Sequence, residues 1–476
     1  MERASGEIWV YDTFRGRERR FEPVHAGRVG IYVCGVTPYA APHIGHARPS
    51  VVWDVIRTHL ERRGYVVTLV QNFTDVDDRL IERATDEGVS VAALAAQHMA
   101  EYFQAMNALG VRPPDVMPRA TEHIEAINEL IGRLLGQGVA YARRGDVYFR
   151  VASRPDYGAL ARRHPEAMRA GARLDINPDK DDPRDFALWK REQPGEPAWE
   201  SPFGRGRPGW HVECSAMAHQ YLGDVLDMHG GGVDLVFPHH ENERVQSEAG
   251  YHVPSHVRFW VHNGLVTTDG VKMSKSLDNG QDLAGLINRY GARNVRGYLL
   301  SVHYRSPLEF SVNALEEFGR ARERIVRLWS QVHDAEPPRR RVGGEAGQVL
   351  DDFPARLLDA LDGDFNTARA WAEVFEMVRA ANSMVQAPGP DREAARGFAR
   401  RNLAAADQAL GLLDPPSPPA ASLPAAVASL VSRRTQARMA RDWATADQLR
   451  DAIWAQGYVV EDRVEGTVVH PRDRIS

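Results

Sequence analysis

The chain is poor in cysteine and in lysine, and has no long apolar run. Its 476 residues hold two cysteines, Cys34 and Cys214. That excludes a disulfide-built scaffold and fits a reducing compartment better than an oxidising one. No stretch reaches the roughly 18 consecutive apolar residues of a membrane-spanning helix. The N-terminus is charged from Glu2 onward and lacks the apolar core of a signal peptide. The expectation is a cytoplasmic protein with no membrane contact. A surplus of positive charge is missing too, since 59 Lys and Arg stand against 64 Asp and Glu, a net −5. Any nucleic acid must therefore meet local basic patches rather than a chain-wide field. The length is too great for one hydrophobic core and implies several domains, at about 100–200 residues each.

Lysine is the more telling shortage. Only Lys180, Lys190, Lys272 and Lys275 occur among the 59 basic residues, and the rest are Arg. Under so strong a bias, a position that stays Lys is a candidate for needing a compact ammonium rather than a planar fork. Two of the four fall in one string, Lys272-Met273-Ser274-Lys275-Ser276, flanked by Asp269-Gly270 and Asp278-Asn279-Gly280. Two ammonium groups three residues apart on such a loop suit a pyrophosphate leaving group. A solvated basic loop is the ordinary alternative, but in this chain it would carry Arg.

Gly30-Ile-Tyr-Val33 is short, apolar and β-prone. Val51, Val52, Val55, Ile56 and Leu60 follow at helical spacing, with Pro49 suited to a first turn and Gly64 to a stop. Tyr65 to Val70 is β-branched again. Strand, helix and strand within about 40 residues make a βαβ unit and predict a parallel sheet in an α/β domain. Val257–Val261 reads as a further strand. Residues 110–200, rich in Pro, Arg and Asp, read as an insertion. From 314 to 413 the apolar spacing is helical throughout, with a loop at Pro337–Gly347, and predicts a bundle. Residues 414–424 hold five prolines and read as a stiff linker. A helix over about 425–456, ended by Gly457, and two short strands near Val459 and Val468 complete the chain. Arg434, Arg438 and Arg441 share a face of that helix, a pattern that suits RNA, with Trp454 read as buried.

His43-Ile44-Gly45-His46 falls in the strand-to-helix crossover, where a parallel sheet binds ligands. Two imidazoles three apart can donate to phosphate oxygens, and Gly45 permits close backbone approach. Gly230-Gly231-Gly232-Val233-Asp234 offers bare backbone beside a carboxylate, a place for a nucleoside with Asp234 accepting from ribose, although a glycine run is more often a turn. In Phe237-Pro238-His239-His240-Glu241-Asn242-Glu243, a helix begins after Pro238 and puts His239 and Glu243 on one face. With Cys34 and Cys214 they compose a zinc set of Cys₂-His-Glu type. A surface helix and two core-packed cysteines are the competing reading.

Together these strings resemble the cysteinyl-tRNA synthetases, a family of class I aminoacyl-tRNA synthetases. The resemblance runs over essentially the whole chain. It rests on Cys34 to Arg48, Gln71 to Asp78, Asp185 to Lys190 and Gly209 to Met217, and continues in Asp227 to Gly232, Phe237 to Glu243, Lys272 to Ser276 and His303 to Pro307. It implies a Rossmann-like parallel-sheet catalytic domain over 1–310 with the insertion at 110–200, then a helical bundle over 311–413 on the tRNA stem or anticodon side. The linker 414–424 and a small α+β anticodon-binding domain over 425–476 follow. The implied activity joins L-cysteine to tRNA(Cys) through a cysteinyl-adenylate, using ATP with Mg²⁺ and one Zn²⁺ per chain, in a monomer. By the resemblance, Cys34, Cys214, His239 and Glu243 hold the zinc, and Thr74 and Trp210 line the amino-acid pocket. His43, Gly45, His46, Gly231, Gly232, Asp234 and Lys275 meet ATP, with Lys272 beside them. The chain departs from the family pattern twice: Cys34-Gly35-Val36-Thr37-Pro38-Tyr39 stands for Cys-Gly-Pro-Thr-Val-Tyr, and Leu277-Asp278-Asn279 for Leu-Gly-Asn. The first variant also resembles the cysteine ligase of mycothiol synthesis, which joins cysteine to an amino sugar with the same core. A non-catalytic RNA-binding paralogue is a third reading, disfavoured because His43, His46 and Lys275 are all present.

Overall fold

The computed structural model describes residues 6–162, 178–268, 271–272, 282–414, 424–439, 442–463 and 466–471. Residue contacts divide the chain into two compact units, 1–412 and 413–476.

The first unit is organised on a four-stranded parallel sheet. Its spatial order is Val257–Asn263, Leu226–Gly232, Arg28–Val36, Val66–Phe73. Ile31, Tyr32 and Val33 are all buried, as expected of a parallel strand covered on both faces. The chain leaves Arg28–Val36 for one edge, then returns to its other side to lay down Leu226–Gly232. The connections after these two adjacent strands therefore run to opposite edges. That is the topological switch point, where α/β sheets bind ligands beyond the carboxyl ends of their strands.

The crossover helix spans Ile44–Arg62 and so begins before Pro49. The reason lies in its cap. His43 Nδ1 accepts the Gly45 N–H at 3.0 Å, and His46 Nδ1 accepts the His43 N–H at 3.2 Å. This is a capping box built from two histidines, and it satisfies two orphan donors reciprocally. Pro49 sits inside the helix and removes one bond, to the Gly45 carbonyl. Ile44, Val51, Val52, Val55, Ile56 and Leu60 are buried, each stabilising by about 1.5–3 kcal/mol.

The expected insertion holds the helix Ile124–Gly136 and an antiparallel sheet in the order Ala140–Arg143, Asp146–Phe149, Phe186–Arg191, Gly206–Pro208. Ile127, Leu130, Ile131 and Leu134 pack with Val147, Phe149, Leu188 and Trp189 in one core. The last strand delivers the chain to the helix Trp210–Leu222, which carries Cys214. The bundle helices are Val312–Val332, Gly344–Asp362, Thr367–Gln386 and Arg392–Leu410. The expected loop is shorter than read, since helix resumes at Gly344.

In the second unit the single helix expected over 425–456 is two, Ala425–Met439 and Trp443–Ala455, followed by an antiparallel hairpin of Tyr458–Arg463 and Gly466–Pro471. Asp442 starts the second helix by accepting the Thr445 N–H at 3.1 Å. The break sets the two helical faces independently, which undoes two expectations. Arg434 is buried and Arg438 lies over the Trp443 ring at 5.7 Å, while Trp454 is 52% exposed. Arg441 lies outside the described residues. Among the described residues no helix is long and apolar enough to cross a membrane.

Candidate active site

At the switch point the strand ends and their loops enclose a cavity of ≈ 510 Å³. Its wall brings together Cys34, His43, Gly45, His46, Trp210, Gly231, Gly232 and Asp234. Thr74 is not in that wall. It is buried behind it, its Oγ1 accepting from Asn72 Nδ2 at 3.3 Å while Asn72 Oδ1 accepts the Gly35 N–H at 2.9 Å. Lys272 belongs to the two-residue strand Val271–Lys272, paired with Thr267–Thr268. Lys275 lies outside the described residues. Of the other lysines, Lys190 reaches from the insertion sheet to Asp78, a wall residue, at 2.6 Å.

One end of the cavity carries groups that suit an anion. The His43 and His46 rings stack at 3.8 Å between centroids. Each Nδ1 accepts a backbone N–H, so each is unprotonated and the neutral ring carries its hydrogen on Nε2. Two Nε2–H donors thus stand at a helix N-terminus, where the helix dipole favours phosphate.

The other end gathers soft and titratable donors. Cys34, Cys214, His239 and Glu243 offer ligand atoms that all lie within 4.8 Å of one another. Cys34 Sγ is 3.8 Å from Cys214 Sγ and 3.3 Å from Glu243 Oε1, and His239 Nε2 is 2.9 Å from Glu243 Oε1. The helix proper starts at Glu241, and His239 sits in a π-type turn, Val236–His240, before it. The two side chains meet all the same. Trp210 stacks on the His239 ring at 4.3 Å.

All four donors are buried. Burial raises the Glu243 carboxyl, yet His229 and His239 beside it bring it well below the usual carboxylate range. The hydrogen bond from Cys34 holds the Cys214 thiol down at about 6, against burial, while burial and the neighbouring Cys214 push Cys34 well up. Two thiolates this close repel, so without a cation only one ionises. Two thiols, an imidazole and a carboxylate are the donor chemistry of a tetrahedral zinc site, and a divalent cation would let both thiols ionise.

Residues 20–320 match the family described as tRNA synthetases class I (C) catalytic domain. Residues 356–414 match the DALR domain, and residues 420–469 the cysteinyl-tRNA ligase anticodon binding domain. The cysteine–tRNA ligase of Geobacter sulfurreducens is 44% identical over 474 residues, 96% of this chain and 98% of that protein. That of Symbiobacterium thermophilum is 45% identical over 470 residues, with the same coverage. The chain belongs to the cysteine–tRNA ligase family. Among solved structures, Mycobacterium tuberculosis methionyl-tRNA synthetase in complex with methionyl-adenylate has a TM-score of 0.58 at 19% identity, covering 81% of this chain and 90% of that one. An Agrobacterium radiobacter LeuRS–tRNA–LeuAMS complex has a TM-score of 0.62 at 12% identity, covering 82% and 85%. These likenesses show the class I fold.

For a cysteine–tRNA ligase, the site holds more histidine than the sequence reading assigned. His229 and His240 join Cys34 and Glu243 in a second group within 4.8 Å, with His240 Nε2 3.2 Å and His229 Nε2 3.5 Å from Cys34 Sγ. His211 Nδ1 lies 2.9 Å from His239 Nδ1. The signal was in the strings already singled out, since His229 precedes the glycine run and His240 follows His239. The glycine run has two functions. A Cβ on Gly230 would collide with the Trp53 ring of the crossover helix, so that glycine serves packing, whereas Gly231 and Gly232 face the cavity.

Proposed function

We propose that this enzyme charges tRNA(Cys) with L-cysteine in two steps. The cysteine carboxylate attacks the α-phosphorus of ATP and pyrophosphate leaves, giving cysteinyl-adenylate. The terminal ribose hydroxyl of the tRNA then attacks the activated carbonyl and AMP leaves. Phosphoryl transfer needs positioned donors and cations more than covalent help. His43 and His46 donate through Nε2 to the phosphates, and Gly45 lets them approach. Gly231 and Gly232 take the nucleoside, and Asp234 accepts from its ribose. Lys272 and Lys275, with Mg²⁺, stabilise the leaving pyrophosphate. Trp210 bounds the amino-acid end, and Thr74 backs it through Asn72 and Gly35. One Zn²⁺, held by Cys34, Cys214, His239 and Glu243, supplies when bound a soft partner for the substrate thiolate, which serine's hydroxyl cannot match.

The observation that carries this reading is one cavity whose wall holds the stacked histidines and, at Cys34, meets the buried two-thiol donor set. Residues 1–310 form the catalytic part, with the insertion at 110–200. The bundle over 311–413 takes the tRNA stem or anticodon side, and beyond the linker 414–424 residues 425–476 read the anticodon. The enzyme works as a cytoplasmic monomer. An amino-sugar cysteine ligase would use the same core, but the match of residues 420–469 to an anticodon-binding domain supports tRNA as the acceptor.

The test uses the full chain and a form truncated after Leu413. Both should catalyse cysteine-dependent ATP–pyrophosphate exchange, within about twofold of each other. Only the full chain should charge tRNA(Cys) efficiently, with truncation costing at least about tenfold, or 1.4 kcal/mol. Exchange without charging by the full chain would contradict the acceptor, and absence of exchange would contradict the adenylate.

A further inference from the structure

Arg48 lies one turn beyond the His43–His46 cap and is fully buried. Among the described residues it has no carboxylate partner; its guanidinium is spent on backbone. Nη1 donates to the carbonyls of Gly264 and Leu265, both at 2.9 Å, and Nη2 to that of Ser306 at 2.6 Å. Gly264 and Leu265 are walls of the cavity and lead into the strand Val266–Thr268, on which Val271–Lys272 pairs. The same strand pairs with Leu308–Glu309, and the Gly264 N–H donates to the Tyr304 carbonyl at 2.8 Å. A Cβ on Gly264 would strike the Ser306 carbonyl, so the two backbones are as close as glycine allows. Arg48 thus holds three things together: the phosphate-binding helix, the root of the lysine loop and the turn 303–306.

That turn has a second grip. Tyr304 Oη donates to Asp364 Oδ1 at 2.8 Å, and Arg305 Nε to Asp364 Oδ2 at 2.7 Å. The Tyr11 N–H also donates to Oδ1, at 2.8 Å. Asp364 is 1% exposed and belongs to the connection between two bundle helices, Gly344–Asp362 and Thr367–Gln386. It has φ +63°, and Phe365 has φ +51°. Two successive non-glycine residues in the left-handed region are strained, and such strain persists only where the surroundings enforce it. Here the enforcing contacts come from outside the bundle, from the 303–306 turn and from Tyr11 in the strand Trp9–Asp12. The crossover helix reaches the same connection from its other end, where His59 Nε2 meets Asp362 Oδ1 at 2.9 Å.

We propose that Arg48, Arg305 and Asp364 are positioning residues that couple RNA bound on the bundle to ATP affinity in the cavity. Neither Arg305 nor Asp364 lines the cavity; each acts through the 303–306 turn and Arg48. The inference rests on the proposed function for the identity of the RNA. Coupling of this kind is a linkage between two binding equilibria and is reciprocal, so it is read without turnover.

The experiment measures ATP affinity of the full chain by titration calorimetry, without cysteine, in the presence and absence of an unmodified tRNA(Cys) transcript. The parent should bind ATP at least about fivefold tighter with RNA, within the usual range of allosteric coupling. Asp364→Asn keeps the backbone, since Asn tolerates positive φ, but loses the carboxylate that Arg305 meets. It should bind ATP alone within twofold of the parent while the RNA effect shrinks to less than twofold. Arg305→Gln, at an exposed site, should do the same, and remains informative if Asp364→Asn folds poorly. The double variant should add no further loss, as expected of one shared contact. An unaltered RNA effect in Arg305→Gln, or no RNA effect in the parent, would overturn the proposal. So would an equal loss of ATP affinity with and without RNA. Cysteine-dependent exchange is measured in parallel. A parent that couples RNA to ATP but lacks exchange would contradict the proposed function and leave the coupling standing.

Discussion

At the thiol end of the cavity Cys214, His239 and Glu243 are between 1% and 2% exposed, and each donor touches another donor. At the phosphate end the two histidines are held by backbone N–H groups of their own helix start, and Lys272 lies on a separate strand, Val271–Lys272. The first end is set by packing and charge in the interior. The second is set by local capping and by a loop whose root is fastened elsewhere. Under the proposed function the difference matches what each end would do. Selecting a thiol demands a fixed, desolvated donor set, because a loose one would accept a hydroxyl. Holding triphosphate and releasing pyrophosphate demands donors that can be approached and left.

The largest effect should come from the thiol end. Cys214→Ser should lose most bound zinc by elemental analysis, and cysteine-dependent exchange should fall at least about 100-fold, roughly 2.7 kcal/mol of transition-state stabilisation. ATP binding should change less than twofold. Loss of ATP binding as well would mean that the two ends are one structure.

Next in size is an effect of acid on the interior behind the thiol end. Burial holds the His256 imidazole down at about 4, although its hydrogen bond to the Asp224 carbonyl pulls the other way. In the unfolded chain it titrates near 6.5. Between those values the unfolded chain binds more protons, so stability falls as pH falls. From pH 7 to pH 5 this group alone should cost about 2 kcal/mol. Denaturant unfolding of the parent and of His256→Gln at both pH values measures it, and the variant should lose that part of the slope.

Lys275→Arg should slow adenylate formation about tenfold, roughly 1.4 kcal/mol, with cysteine affinity little changed. The position stayed lysine where nearly every other cation is Arg, and an ammonium approaches a phosphate more compactly than a guanidinium. A near-parental single-turnover rate would make the lysine accidental. The smallest effect belongs to the cap. His43→Asn replaces the capping Nδ1 with an amide oxygen and should leave unfolding free energy within about 0.5 kcal/mol, whereas His43→Ala should cost about 1 kcal/mol.

The same contrast governs what the sequence disclosed. The parallel sheet, the insertion and the bundle were readable because apolar periodicity and β-branched runs are local signals. The four thiol-end donors were readable because cysteine is scarce and His239 and Glu243 stand four apart. The start of the crossover helix was misplaced, because histidine is not an expected capping residue and Pro49 looked like a first turn. Arg434 and Trp454 were read on the wrong sides, because one helical phase was carried through what are two helices, Ala425–Met439 and Trp443–Ala455, with no glycine or proline in the sequence between them. His229 and His240 were passed over because their role depends on two strands meeting in register, Tyr32 opposite His229. Arg48 and Asp364 carry no local signal at all, since every partner of either is distant in sequence or is backbone.

The most direct measurement is ATP–pyrophosphate exchange by the zinc-loaded full chain with cysteine and with serine at matched concentration. A thiol end that binds the substrate through sulfur predicts robust exchange with cysteine and at least about 1,000-fold less with serine, roughly 4 kcal/mol of discrimination. Comparable exchange with the two amino acids, or exchange with cysteine that survives both removal of zinc and Cys214→Ser, would contradict it.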